Sequence, residues 1–344
     1  MSPWASPRLL TRRHIRLALG IFWTIDAGLQ AEPPNFAHAY PLDVLAQSAM
    51  GTPQWENRAI FGAITPFVSH WAWWNLAAVV LQAAIGLALV SDRWVRPALV
   101  TSVAWAGVVW LAGEGLGGLP TGFALLAFGA PGPALLYAAV GLLAWPSEGR
   151  RDLDRRTWGV LWATYWGGGA LLQLPWVYPP GRSLSANFEE AALGQPGWLA
   201  STTEAVARVV ERQPIAWTAG LAAVYLAVAA GGLPSRRERR WPLVAAAVIS
   251  GVAWVTCQGL GGVLALGASD VGTGPVVVLA ALGAWPAIRR VPAARVLSPA
   301  RRSPPVRGPD GDWAGGPGPT PRRSSGPPPR GAGPVRRCAL GPQG

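Results

Sequence analysis

Two stretches decide the fold: residues 99–118, LVTSVAWAGVVWLAGEGLGG, and residues 243–262, LVAAAVISGVAWVTCQGLGG. They align without a gap at an offset of 144, and nine of 20 positions are identical. The shared residues are Leu99, Val100, Gly107, Val108, Trp110, Gly115, Leu116, Gly117 and Gly118. Each stretch is a long apolar run with no polar alternation, which reads as a buried or membrane helix rather than a strand. The closing Gly-Leu-Gly-Gly is too particular to arise from shared hydrophobicity alone. Shorter echoes surround it. Leu143-Ala144-Trp145-Pro146 returns as Gly283-Ala284-Trp285-Pro286, and Gly132-Pro133 as Gly274-Pro275. Gly20-Ile21-Phe22-Trp23 returns as Gly159-Val160-Leu161-Trp162. The pattern predicts a tandem repeat of about 140 residues.

Working outward, eight stretches are apolar and long enough to be considered as bilayer crossings, which need about 20 residues each. They run over 14–31, 70–91, 96–114, 130–146, 157–175, 214–233, 241–260 and 271–288. Backbone N–H and C=O groups in lipid must pair within the segment, so these are predicted helices. The expected fold is all-α: a polytopic membrane protein of two four-helix units, 14–148 and 149–289. A cytoplasmic N-terminus precedes them (1–13), and a disordered tail (290–344) follows. Four helices per unit is an even number, so the two units insert in the same direction as parallel repeats. Each unit has a long loop after its first helix, about 32–69 and 176–213. Within these, 42–68 and 186–212 are mildly amphipathic and are expected to be short helices along the membrane surface.

Charge agrees with this layout. Only 13% of residues are charged against 51% apolar, and mean hydropathy is +0.26. A soluble domain needs roughly 25% charge to cover its surface. The net charge is +12, carried by 29 Arg and no Lys. Such a balance can mark nucleic-acid binding, but these Arg sit in short blocks between apolar runs, so no nucleic-acid partner is expected. Counted along the predicted crossings, 25 Arg fall on one side. Only Arg58, Arg182, Arg208 and Arg212 fall on the other. The excess marks the cytoplasmic side and places both termini there. The expected location is the plasma membrane of a bacterium, with the all-Arg usage fitting a GC-rich genome. Trp71, Trp73 and Trp74 at an outer helix start, and Trp94, Trp145, Trp241 and Trp285 at inner ends, fit an interfacial aromatic belt. A signal-peptide reading of the first segment is disfavoured, because no small-residue cleavage pattern follows and the segment has an internal copy. Residues 291–344 hold 13 Pro, 10 Gly and 9 Arg. That composition cannot bury a core.

Few residues remain for chemistry. Cys257 and Cys338 exclude a disulfide framework or a Cys-based metal site. His38 and His70 lack a third ligand, so no metal is expected. Ionisable groups inside a bilayer are costly and hence functional candidates. Asp26, about ten residues into the first segment, and Glu114, at the end of the third, stand out. Gln30 lies four residues after Asp26 on the same helix face. Gln82 joins these in a candidate polar site, and Gln258 is the repeat counterpart of Glu114. One reading is a cavity for proton exchange or for hydrogen bonding to a cation or quinol. The other is that helix-end N–H groups, Arg58 or His70 hold each acid for packing alone. The glycine motifs lack a basic residue and follow no strand, which argues against a phosphate cradle. Close helix packing or an irregular turn before Pro120 is expected instead.

Arg16-Leu17-Ala18-Leu19-Gly20 and Asp26-Ala27-Gly28-Leu29-Gln30 resemble the first helix of DoxX-like membrane proteins. Gly113-Glu114-Gly115-Leu116-Gly117, Thr121-Gly122 and Gly129-Ala130-Pro131-Gly132-Pro133-Ala134-Leu135-Leu136-Tyr137 resemble its two-unit actinobacterial form. The resemblance covers about 14–288. It implies an accessory or quinone-linked subunit of a membrane redox system, with a quinone as the candidate cofactor and a redox protein as the partner in the bilayer. The chain carries no thiol pair or ligand set for redox chemistry, so an autonomous enzyme is not expected. A small-solute or ion permease and a non-catalytic membrane scaffold are the alternatives.

Overall fold

The computed structural model describes residues 10–43, 45–146, 155–174, 184–233 and 240–284. The tail, Cys338 and several predicted cytoplasmic Arg blocks lie outside these. Among the described residues every regular element is helical. We number the helices α1 (Arg12–Gln30), α2 (Gln54–Ile64), α3 (Trp71–Val90), α4 (Val95–Ala112), α5 (Pro133–Leu143) and α6 (Arg155–Leu171). They continue as α7 (Ser185–Ala192), α8 (Gly197–Val210), α9 (Pro214–Gly232), α10 (Trp241–Thr256) and α11 (Thr273–Ala284). The two loop regions expected to hold short helices contain α2, α7 and α8.

Among the described residues, three runs are long and apolar enough to cross a membrane by length and composition: Gln54–Val90, Val95–Ala112 and Pro214–Gly232. Of the other five predicted crossings, the one expected over 157–175 is α6, 17 residues long and opening on Arg155 and Arg156. α1 has the length, at 19 residues, but carries Arg12, Arg13, Arg16 and Asp26. α5 and α10 are apolar but only 11 and 16 residues long, and α11 is apolar over its 12 residues up to 284, the last described position. At 1.5 Å per residue an 11-residue helix covers about 16 Å, roughly half the hydrocarbon thickness. The missing length in the α5 segment is taken by the turns around Gly129 and Gly132, both at positive φ.

α1 starts at Thr11, whose hydroxyl accepts from the His14 N–H while His14 Nδ1 accepts from the Thr11 N–H. Its buried face repeats every three or four residues: Ile15, Arg16, Leu19, Trp23, Asp26 and Gln30. α1 packs on α3, and α4 on α5; likewise α6 packs on α9, and α10 on α11. α2 rests on α4 as α8 rests on α10. At the α1–α3 contact Gly86 faces Gly20 and Thr24 so closely that a Cβ there would meet the Thr24 hydroxyl. This is the small-residue approach by which apolar helices pack where lipid removes the hydrophobic drive.

The two cores interlock. Val271, Val276 and Leu279 join the core built on Leu19, Trp23, Leu89 and Leu99, whereas Leu126 and Leu143 join the core around Trp158, Trp162 and Trp166. Those three Trp form a ladder on α6 with ring centroids 5.8 Å apart at each step. Arg side chains work structurally at one end of the bundle. Arg12 donates to the Leu143 and Trp145 carbonyls (2.9 and 2.8 Å), which close the C-terminal end of α5. Such cations favour helix C-termini. Arg16, only 6% exposed, pairs with Asp92, as does Arg13 at 2.8 Å. These guanidinium groups hold the Asp92 carboxyl below the usual carboxylate range.

Candidate functional site

The Gly-Leu-Gly-Gly motifs are not helix-packing surfaces. Gly115, Leu116, Gly117 and Gly118 have φ of 51°, 51°, 65° and 68°. Gly259, Leu260, Gly261 and Gly262 have 51°, 57°, 69° and 75°. Each motif is a left-handed turn of four residues, a conformation that costs an L-residue roughly 1–2 kcal/mol per position. Gly also fits for space. A Cβ on Gly117 would run into the Pro131 carbonyl, and one on Gly261 into the Val271 carbonyl. The same carbonyls accept from Trp110 Nε1 (2.7 Å) and Trp254 Nε1 (2.8 Å). One backbone device therefore occurs twice, stitching the end of α4 to the start of α5 and the end of α10 to the start of α11.

The residue before each turn completes the stitch. Glu114 Oε1 accepts from the Ala134 N–H at 2.9 Å, in the first turn of α5. Gln258 Oε1 accepts from the Thr273 N–H at 3.3 Å and from its hydroxyl at 2.9 Å, at the start of α11. Each satisfies a helix-start donor that would otherwise be orphaned. The helix-end alternative thus describes one oxygen of Glu114. Its other oxygen, Oε2, is buried with no hydrogen-bond partner. Gln258 Nε2, in contrast, donates to the Ala127 carbonyl at 3.1 Å.

Asp26 is 1% exposed. Its Oδ1 accepts from the Val271 N–H at 3.2 Å, so the loop before α11 closes over a residue of α1. The next N–H, that of Gly272, binds Asp270 Oδ1 at 2.7 Å, and Ser269 donates to Asp270 Oδ2 at 3.2 Å. Asp26, Glu114 and Asp270 lie within mutual electrostatic reach. Tyr137 of α5, 2% exposed, turns its hydroxyl toward Asp26 but makes no well-formed hydrogen bond. Among the described residues no ion pair involves any of these three acids. No group of three His, Cys, Asp or Glu among them is arranged to hold a metal ion.

Sequence reasoning named Asp26 and Glu114, and the fold brings them together. Gln30 is spent on Asn75: its Nε2 donates to Asn75 Oδ1 at 2.5 Å, and Asn75 Nδ2 returns to the Gln30 carbonyl at 3.1 Å. That pair ties α1 to α3. Gln82 is 5% exposed on α3, with Oε1 unpartnered. Gln258 belongs to the second stitch rather than to the acid cluster. Asp270 and Tyr137 were missed. Asp270 stands at the edge of an apolar segment, where it reads as a boundary residue, and only docking of the 263–272 loop carries it to Asp26. Two more bonds hold that loop: Glu32 Oε2 accepts from the Gly267 N–H at 2.6 Å, and Asn35 Nδ2 donates to the Ala268 carbonyl at 3.0 Å.

Comparison with family models, with characterised proteins and with solved structures gives no match.

Proposed function

We propose that this chain is a plasma-membrane protein of DoxX-like type. It crosses the bilayer eight times as two parallel four-helix units with cytoplasmic termini. At the outer end of the first unit, the carboxyls of Asp26, Glu114 and Asp270 take up and release protons for a quinone-linked redox partner. The observation that carries this reading is the contrast between Glu114 and Gln258. The second stitch works with a neutral amide, so the helix-start cap needs no charge. Glu114 nevertheless brings a carboxyl, and it does so beside two other buried acids without a cation.

A proton suits such a site because it needs no coordination shell. Quinol oxidation releases protons, and carboxyls facing the reaction would accept them. Beneath the site, toward the Arg end, Leu19, Leu89 and Leu99 are each fully buried in the protein. This apolar layer favours exchange on one side of the membrane over passage through it. The uncompensated acids also favour a second reading, a cation permease, which requires that layer to part.

The test is purification from native membranes with absorbance spectra and mass spectrometry of bound small molecules and partners. A co-purifying quinone or redox protein is expected. Finding neither would remove the redox reading. Asp26→Asn, which retains an oxygen for the Val271 N–H, should abolish activity or host phenotype in step with Glu114→Gln. Unchanged behaviour in both would remove the acid site's role.

A further inference from the structure

The second half carries a site of a different kind. A cavity of about 10 Å³ lies among Tyr165, Trp166, Tyr225, Ser250, Gln258 and Thr273. That is room for about one water-sized molecule. The lining holds no acid and no Arg. Gln258 and Thr273 are already committed to the stitch and to the Ala127 carbonyl. Trp166 is not: it is 1% exposed, and its Nε1 is buried with no acceptor.

An indole N–H can only donate, so whatever satisfies it must bring a lone pair. The walls carry no charge, so an ion entering would lose its hydration without compensation. The guest is therefore neutral. A buried polar atom beside a cavity of this size, with Tyr165, Tyr225, Ser250, Gln258 and Thr273 in its wall, is a setting for an ordered water, which needs two to four partners. We propose that this cavity is a binding site for a single water molecule, held by Trp166 Nε1 and the polar groups around it. The proposal is independent of any role for Asp26 and Glu114.

The test uses the full chain in lipid nanodiscs, imaged at a resolution that shows ordered waters. Density is expected about 2.7–3.2 Å from Trp166 Nε1. A dry cavity would overturn the proposal. A second measurement does not depend on seeing water. Ala253 also lines the cavity, and Ala253→Val adds two methyl groups. Displacing a bound water should lower the melting temperature, and that penalty should shrink in a Trp166→Phe background, where the N–H is gone. A rise in melting temperature with Ala253→Val would show an empty void being filled and would sink the idea. If Ala253→Val does not fold, the density at Trp166 decides alone.

Discussion

Glu114→Gln separates the two roles of that residue, because the protein already contains the answer at Gln258. In the variant the amide oxygen still accepts from the Ala134 N–H, as Gln258 Oε1 does from Thr273. While Glu114 is ionised, the bond changes from charge-assisted, worth about 1.5–3 kcal/mol, to neutral, worth about 0.5–1.5 kcal/mol; when it is protonated, both bonds are neutral. In the ionised state that loss of roughly 1 kcal/mol is opposed by relief of repulsion from Asp26 and Asp270. Net stability should stay within about 1 kcal/mol of wild type. Glu114→Ala is the control. It removes the cap and leaves the Ala134 N–H unpaired, about 1–3 kcal/mol in all. Unfolding of the detergent-purified protein would rank them. Infrared difference spectra across pH would count titrating carboxyls. Glu114→Gln should fold like wild type, lose one carboxyl signal and lose activity. If it unfolds as easily as Glu114→Ala, the acid is purely a structural cap. If the carboxyl signal is unchanged, Glu114 does not titrate and the proton reading fails.

Three further outcomes follow from particular contacts. Gly117→Ala should destabilise by more than the roughly 1–2 kcal/mol of left-handed strain, because its Cβ meets the Pro131 carbonyl. Gly118→Ala, with its nearest neighbour 4.0 Å away, should pay the strain alone, so equal losses in denaturation curves would contradict the stitch geometry. The Asp92 carboxyl is held low by Arg16 and Arg13, so its contribution is present above the unfolded carboxylate range and disappears as pH falls through the depressed value, below about 4. Melting temperature should drop there in wild type but not in Asp92→Asn, whose Asn tolerates the +62° φ; parallel pH curves would refute the anchor. In a Cys257→Ser, Cys338→Ser background, an impermeant maleimide on intact cells should label Leu193→Cys and spare Arg93→Cys. Both are exposed positions, and labelling of both from one side would overturn the orientation.

The sequence alone determined the helical class, because apolar runs of this length leave the backbone no other way to pair its polar groups in lipid. It also determined the duplicated glycine motif and the scarcity of charge that singles out Asp26 and Glu114. Helix lengths were less legible. Apolar composition continues through the turns around Gly129, Gly132 and Gly267, so hydropathy cannot see where α5 or α11 begins. The role of Gly-Leu-Gly-Gly was also hidden, since Gly serves close packing and positive φ alike and only the backbone path tells which. What tertiary structure decided was association. Gln30 found Asn75, the Arg12 and Arg16 side chains found helix-end carbonyls and Asp92, and Asp270 reached Asp26 from 244 residues away. Contacts between positions that distant depend on how one loop docks on another helix, and no local periodicity carries that information.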